Sequence, residues 1–154
     1  MGGYVRYLSR ISKGYNIYVV VVVDRFGNTA ERVVDEIFER LAFEIGEDAV
    51  ISKLISWEGV KEAEKKFEIR DSDSRPVLVI TQIHPDDWKK GMPAIKVQLG
   101  RMDNEDQIRV FLFRLCRLIS SEDFGGAEWL NRTEIIRRFA RRLPVFVELI
   151  GLIR

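Results

Sequence analysis

The chain has 154 residues, about the length of one domain. Of these, 46% are hydrophobic and 32% are charged, which excludes wholesale disorder. The 25 Lys and Arg residues nearly balance the 24 Asp and Glu residues, so overall charge favours neither a nucleic-acid coat nor an acidic tail. One cysteine, Cys116, excludes a disulfide or dithiol pair within the chain, and one histidine, His84, excludes a histidine-rich metal centre.

The longest apolar run covers residues 17–23 and is closed by Asp24. It is much shorter than the roughly 18 residues that a membrane-spanning helix needs. Its residues are nearly all β-branched and no small-x-small cleavage site follows, which favours a buried strand over a secretory signal. We therefore expect a cytoplasmic protein with no transmembrane segment. Heavy charge with few side-chain amides is also typical of thermophile proteins.

Hydrophobic spacing predicts alternating strands and helices in the first half of the chain. Residues 15–24 carry a continuous Val and Ile run, typical of a strand buried on both faces. An apolar stripe at three-to-four spacing predicts a helix over residues 29–45. Residues 49–57 are rich in strand-forming residues, and residues 58–67 have the spacing of a short helix.

The second half continues with two strands and two helices. Residues 77–83 form an apolar strand, and residues 94–99 alternate as a half-buried strand close enough to pair with it. Helices are predicted over residues 103–120 and residues 127–143. An apolar tail, residues 145–153, follows the last helix.

This order predicts an α/β fold, a β-α-β-α-β-β-α mixed sheet sandwiched by helices with a C-terminal helical extension. Strands that alternate with helices need right-handed crossovers and a parallel portion of the sheet. We expect residues 1–14 to be an N-terminal arm or edge strand and residues 15–121 to be the core. Residues 122–154 would be a C-terminal helix and an apolar tail that pack on the core or on a partner.

The element order, together with Arg75-Pro76 at the start of the third strand, resembles the thioredoxin fold. The match is clearest over residues 33–119 and covers about two-thirds of the chain. The resemblance implies a thioredoxin-like core over residues 15–121. It also implies a cis peptide bond before Pro76, because that proline is cis in the family and lies beside its active site.

The redox members of that family carry C-x-x-C, or one cysteine, where the first strand turns into the first helix. The helix N-terminus stabilises a thiolate there. Here residues 24–29 contain no sulfur, and Asn28 and Thr29 can cap the helix but cannot carry electrons. Cys116 flanks the apolar stripe of a later helix, which favours a structural role. We therefore expect no dithiol redox activity, and we assign no catalytic residue, metal or cofactor.

One candidate pocket lies where the first strand ends. Asp24 and Arg25 stand at the edge where open α/β sheets bind ligands. The resemblance brings Arg75 and Pro76 to the same edge, so an arginine-lined pocket for a small anion is one hypothesis. A structural ion pair is the alternative. His84 is followed by Pro and two Asp, a composition more typical of a turn than of an active site.

Four arginines of the predicted last helix form a candidate partner-binding surface. Arg137 and Arg141, and likewise Arg138 and Arg142, are like charges at i,i+4 spacing that repel each other mildly. An acidic partner would relieve that repulsion. Residues 124–154 carry net positive charge and residues 15–75 net negative charge, which favours protein carboxylates over nucleic acid or lipid headgroups. The tail needs burial in its own core or in a homodimer interface. The arginines are Arg137, Arg138, Arg141 and Arg142.

The leading hypothesis is a cytoplasmic, non-redox thioredoxin-like domain that binds another protein or itself. It would be a homo-oligomer or a complex subunit, and its last helix and tail would form the contact surface. Two alternatives stay open. One is a nucleic-acid-binding accessory protein that uses the same arginines. The other is an enzyme that processes a small anion near Asp24, Arg25 and Arg75.

Overall fold

A six-stranded mixed sheet forms the centre of the computed structural model, which describes residues 1–151. The sheet confirms the α/β class, and five α-helices accompany it within the described residues. The strands are β1 Gly2–Val5, β2 Ile17–Val22, β3 Ala49–Leu54, β4 Val77–Thr81, β5 Ala94–Gln98 and β6 Phe146–Ile150. The helices are α1 Thr29–Glu44, α2 Trp57–Lys66, α3 Glu105–Ile119, α4 Glu122–Gly125 and α5 Trp129–Ala140.

The strand order across the sheet is β1-β3-β2-β4-β5-β6. Strands β1 and β2 each pair with β3 in parallel, whereas β2–β4, β4–β5 and β5–β6 are antiparallel. Every residue of β2, β3, β4 and β5 is buried, so both faces of these strands are covered. The carboxyl ends of β2 and β3 therefore meet the start of β4 at one end of the sheet.

The C-terminal region differs from its prediction. Helix α5 ends at Ala140, three residues before the predicted end at residue 143. A residue that precedes a proline avoids helical backbone, so Leu143 before Pro144 cannot extend the helix. The tail is not a further helical layer: it forms β6, which pairs with β5 from Ala94–Ile150 to Gln98–Phe146. The extension thus adds a strand to the sheet through β6, while α5 packs against β5 and β6.

A buried polar network joins the last two strands to the turn before β4. Lys96 is 1% exposed, and its Nζ lies 2.9 Å from Asp73 Oδ2 and 3.3 Å from Glu148 Oε1 of β6. The same ammonium donates to the Glu68 carbonyl at 2.9 Å, and Gln98 Nε2 donates to Asp73 Oδ1. A buried charge without such partners would cost several kcal/mol. The network therefore ties the turn, β5 and β6 together.

Asp73 makes this network sensitive to pH. Burial by itself would raise the pKa of the Asp73 carboxyl, but the Arg70 amide and the Lys96 ammonium outweigh burial and hold that pKa below its ordinary 3.8. A depressed folded-state pKa contributes stability above the ordinary value. That stability is lost as the pH falls through the folded-state pKa.

We expect Asp73→Asn to lower the free energy of unfolding by about 3 kcal/mol at neutral pH, because the buried Lys96 ammonium loses the nearer of its two carboxylates and keeps only Glu148. The difference from the parent protein should shrink below pH 3.8, since only the parent loses the ionised carboxylate there. Urea unfolding over a pH series measures both effects. Asp71→Asn, an exposed change in the same turn, is the control. A difference that stays constant with pH would contradict the assignment.

Candidate functional site

The predicted pocket residues lie at one end of the sheet. Val22 is paired with Val77, so Pro76 stands beside the segment that follows β2. The Arg75–Pro76 peptide is cis, which confirms the expectation drawn from the resemblance. Asp24 and Arg25 directly follow β2, and the Asn28 side chain links this segment to Arg75. The structure thus places all four predicted pocket residues in one region.

Asn28 organises the start of α1. Its Oδ1 accepts a hydrogen bond from the Glu31 amide at 3.0 Å and so caps the helix. Its Nδ2 donates to the Arg75 carbonyl at 2.7 Å, which holds the loop before β4 against α1. Gly27 precedes it with a φ of +70°, a backbone conformation that favours glycine. An amide, rather than a thiol, therefore fills the place at the helix start.

The Arg75 guanidinium does not point into a common pocket with Arg25. Its Nε donates to Glu64 Oε2 at 2.9 Å, and Nη1 donates to the carbonyls of Arg70 and Asp73. The side chain is 8% exposed. Its hydrogen bonds thus hold α2 and the turn before β4 together. The arginine-lined anion pocket loses one of its two cations.

A cleft of about 280 Å³ opens between the segments that follow β2 and β3. Its two cations are Arg25 and Lys53. Lys53 Nζ lies 2.6 Å from Asp35 Oδ1 and 3.4 Å from Glu31 Oε1. The Lys53 ammonium is therefore already balanced by carboxylates, which disfavours a small anion as the occupant of the cleft.

Three large apolar side chains lie exposed on the segments that follow β2 and β3, and we call them the apolar rim; Ile55 and Trp57 line the cleft, and Phe26 lies next to Arg25 in the loop after β2. Phe26 is 89% exposed, Ile55 58% and Trp57 50%. The Arg25 guanidinium lies 5.9 Å from the centre of the Trp57 ring and so connects the two loops. Sequence reasoning missed the rim. Its one signal was Phe26, an apolar residue within the polar segment that follows the first strand.

The four predicted partner-binding arginines are all exposed, but they are not equivalent. Arg137 donates from Nε and Nη2 to the Val147 carbonyl of β6 and from Nη1 to Glu134. Arg141 is the cap residue at the end of α5, and Arg142 lies beyond it. The prediction that all four arginines lie within the last helix is therefore wrong, because only Arg137 and Arg138 are in α5, whereas partner binding by these arginines stays a prediction. Arg137 serves the fold, and cations at a helix end are favoured by its dipole.

The remaining titratable candidates have structural partners. The His84 ring is buried: its Nδ1 accepts from the Asp86 amide, and its Nε2 lies 2.8 Å from the Ile11 carbonyl oxygen. These contacts support a turn rather than an active site. Cys116 is 3% exposed, and burial raises the pKa of its thiol to about 12. Within residues 1–151, no three His, Cys, Asp or Glu side chains are grouped as metal ligands.

Sequence reasoning also missed Arg132 as a buried cation. Its guanidinium donates to the carbonyls of Phe124 and Gly125 and to Gln82 Oε1. The guanidinium carbon lies 4.6 Å from the centre of the Trp129 ring. Burial lowers the pKa of Arg132. This arginine fastens α5 to the end of α4.

A scan of protein-family models finds no match to the chain, and a search of curated proteins finds none either. No helix in the described part of the chain combines the length and the apolar content that crossing a bilayer requires. The functional argument therefore rests on the geometry of the chain itself.

We expect Arg137→Ala to speed amide hydrogen exchange across β6 by about tenfold, because two hydrogen bonds from a charged donor are lost. Exchange in β2 should not change. Arg138→Ala, a neighbouring exposed arginine, is the matched control. Hydrogen exchange read by mass spectrometry makes the comparison. Equal exchange in the two variants would show that Arg137 does not hold the strand.

We expect the Cys116 thiol to react with a disulfide reagent about a thousandfold more slowly in the native protein than after unfolding, at the same pH. The reason is its pKa of about 12 against an ordinary 9.0, which removes the thiolate that attacks. Dithionitrobenzoate absorbance with and without denaturant measures the ratio. A rapid reaction in the native protein would show that Cys116 is a reactive thiol.

Proposed function

We propose that the protein is a thioredoxin-like domain without dithiol chemistry, and that it binds another protein at the apolar rim. The order β1-β3-β2-β4-β5 with its parallel and antiparallel pairings supports the first half of this proposal. Helix α1 directly after β2 and the cis peptide before Pro76 support it as well. In the thioredoxin family the active site lies beside the cis proline, and the rim lies at the same end of the sheet as Pro76.

The exposure of Phe26, Ile55 and Trp57 on the two segments that border the cleft is the observation that carries the binding proposal. A fully buried Phe side chain gains about 1.5–3 kcal/mol over an exposed one, so a partner that covers the rim gains several such contributions. Aromatic side chains that fill pockets are frequent anchors of protein interfaces. Arg25 and Lys61 lie over the Trp57 ring and give the rim a polar border.

The chemistry of this site favours binding over catalysis. Residues 24–29 contain no thiol, and Cys116 is buried away from solvent. Arg75 is engaged with Glu64, and Lys53 is engaged with Asp35. An apolar side chain of a partner protein fits the cleft between Arg25 and Trp57 better than a small anion does. The proposed surface therefore differs from the last helix and tail, whose strand β6 is paired with β5.

Photo-crosslinking tests this proposal in the cell. We expect benzoylphenylalanine in place of Phe26 to give one discrete adduct with a second protein, identified by mass spectrometry. Phe43 on α1 is 84% exposed and is the matched control site, where no such adduct should form. The same residue at position 26 in a Trp57→Ser chain should lose the adduct, because the partner would lose an anchor.

Two outcomes would contradict the proposal. One is a set of adducts at position 26 that is the same as at position 43, which would indicate random collision. The other is an adduct that persists at full yield in the Trp57→Ser chain, which would place the contact outside the rim. Circular dichroism of each variant verifies that the fold is unchanged.

A further inference from the structure

A second apolar groove runs between α3 and the end of α5, on residues that the apolar rim does not include. Its volume is about 330 Å³. The rings of Phe111 and Phe139 form its floor, with their centres 5.2 Å apart. Val110, 52% exposed, stands at its α3 border, and Leu143 lies at the α5 end. Apolar surface of this kind is typical of a site that another protein covers.

The exposed stripe of α3 along this groove has opposite charges at its two ends. Asp106, Val110 and Arg114 follow each other at four-residue spacing, so they lie on one side of the helix. The Asp106 side chain is 94% exposed and uses one oxygen on Arg109. Arg114 is exposed and takes no part in the ion pairs formed within residues 1–151. Eight residues of helix separate the acid from the arginine by about 12 Å.

A stripe with an acid at one end, a cation at the other and an apolar centre is complementary to its own antiparallel copy. A two-fold axis through Val110 would bring Asp106 of one copy opposite Arg114 of the other, twice. The two Val110 side chains would meet at the axis and cover the floor of the groove. We propose that α3 pairs with α3 of a second copy in this way, so that the protein forms an isologous homodimer.

A polyanion fits the same surface less well. Glu105 and Asp106 occupy the first turn of α3, and Asp106 borders the groove. Asp106 would repel a phosphate at the start of α3, and the groove floor between Asp106 and the arginines Arg114 and Arg142 is formed by the apolar rings of Phe111 and Phe139. A second copy matches all three features of the stripe: the acid, the valine and the arginine.

Charge reversal tests the pairing. We expect the parent protein to sediment at twice the 17.9 kDa of the chain. Asp106→Arg or Arg114→Asp alone should weaken self-association about tenfold to a hundredfold, because each change turns two attractive contacts into two repulsive ones. The double variant should restore the dimer, since every pair is then reversed. Lys90→Asp, an equal charge change in an exposed loop, should leave the dimer intact.

Disulfide trapping gives a second measurement that does not depend on the stability of charge variants. Val110→Cys should form a covalent dimer rapidly with copper phenanthroline as the oxidant, because the two thiols would meet at the axis. Leu130→Cys is the control, since Leu130 is a 61% exposed residue of α5 away from the groove. Cys116 is buried and should not interfere.

A parent protein that stays monomeric at every concentration would overturn the proposal. So would a double variant no better than the single ones, or equal trapping at positions 110 and 130. If a monomeric parent instead retains RNA in a filter assay, with steep loss in salt, the exposed arginines bind phosphate and the dimer is wrong. Failure of the rim crosslink leaves this interface unaffected, because the two surfaces share no residue.

Discussion

The position of β2 between β3 and β4 constrains the rest of the molecule. All six of its residues are buried, and it pairs with β3 in parallel and with β4 in antiparallel orientation. One neighbour therefore ends where β2 ends, while the other neighbour begins there. The loops that follow β2 and β3 and the loop that carries Pro76 are forced to the same end of the sheet. The apolar rim exists because of this geometry.

The buried cations explain why the candidate site relies on apolar contacts rather than on charge. Lys53, Arg75, Lys96 and Arg132 each have hydrogen-bond acceptors within the chain. A buried cation that is satisfied in this way is held in place and is unavailable to a ligand. These four cations, of which only Arg75 was a predicted pocket residue, therefore connect helices, turns and strands. The surfaces that we propose for partners are therefore the apolar rim and the α3 groove.

The sequence predicted the elements whose signal is local. The Val run of β2 and the apolar stripe of α1 have clear periods, and the predicted ends lie within a few residues of the observed ones. Strand β6 escaped prediction because five residues after a proline carry too little alternation to separate a strand from a buried coil. Its burial depends on pairing with β5, about fifty residues earlier in the chain.

The candidate site was predictable in position but not in composition. Asp24, Arg25, Arg75 and Pro76 come together because β2 and β4 are antiparallel neighbours. The resemblance had placed Arg75 and Pro76 at this edge, so the meeting could be predicted. The direction of the Arg75 side chain could not, because it depends on Glu64, which lies on a different element. The exposure of Phe26 and Trp57 depends on which loops face each other across the end of the sheet, and no pattern within a short segment contains that information.

The contact between Arg137 and the Val147 carbonyl also affects the tendency of the protein to aggregate through its edge strand. An outermost strand offers unpaired backbone groups to any extended chain, and this is a common start of aggregation. The guanidinium occupies one of these acceptors on β6 with two hydrogen bonds. Another strand that adds to this side must first displace a charged group from its partner. The sheet is thus discouraged from growing by strand addition at its β6 edge.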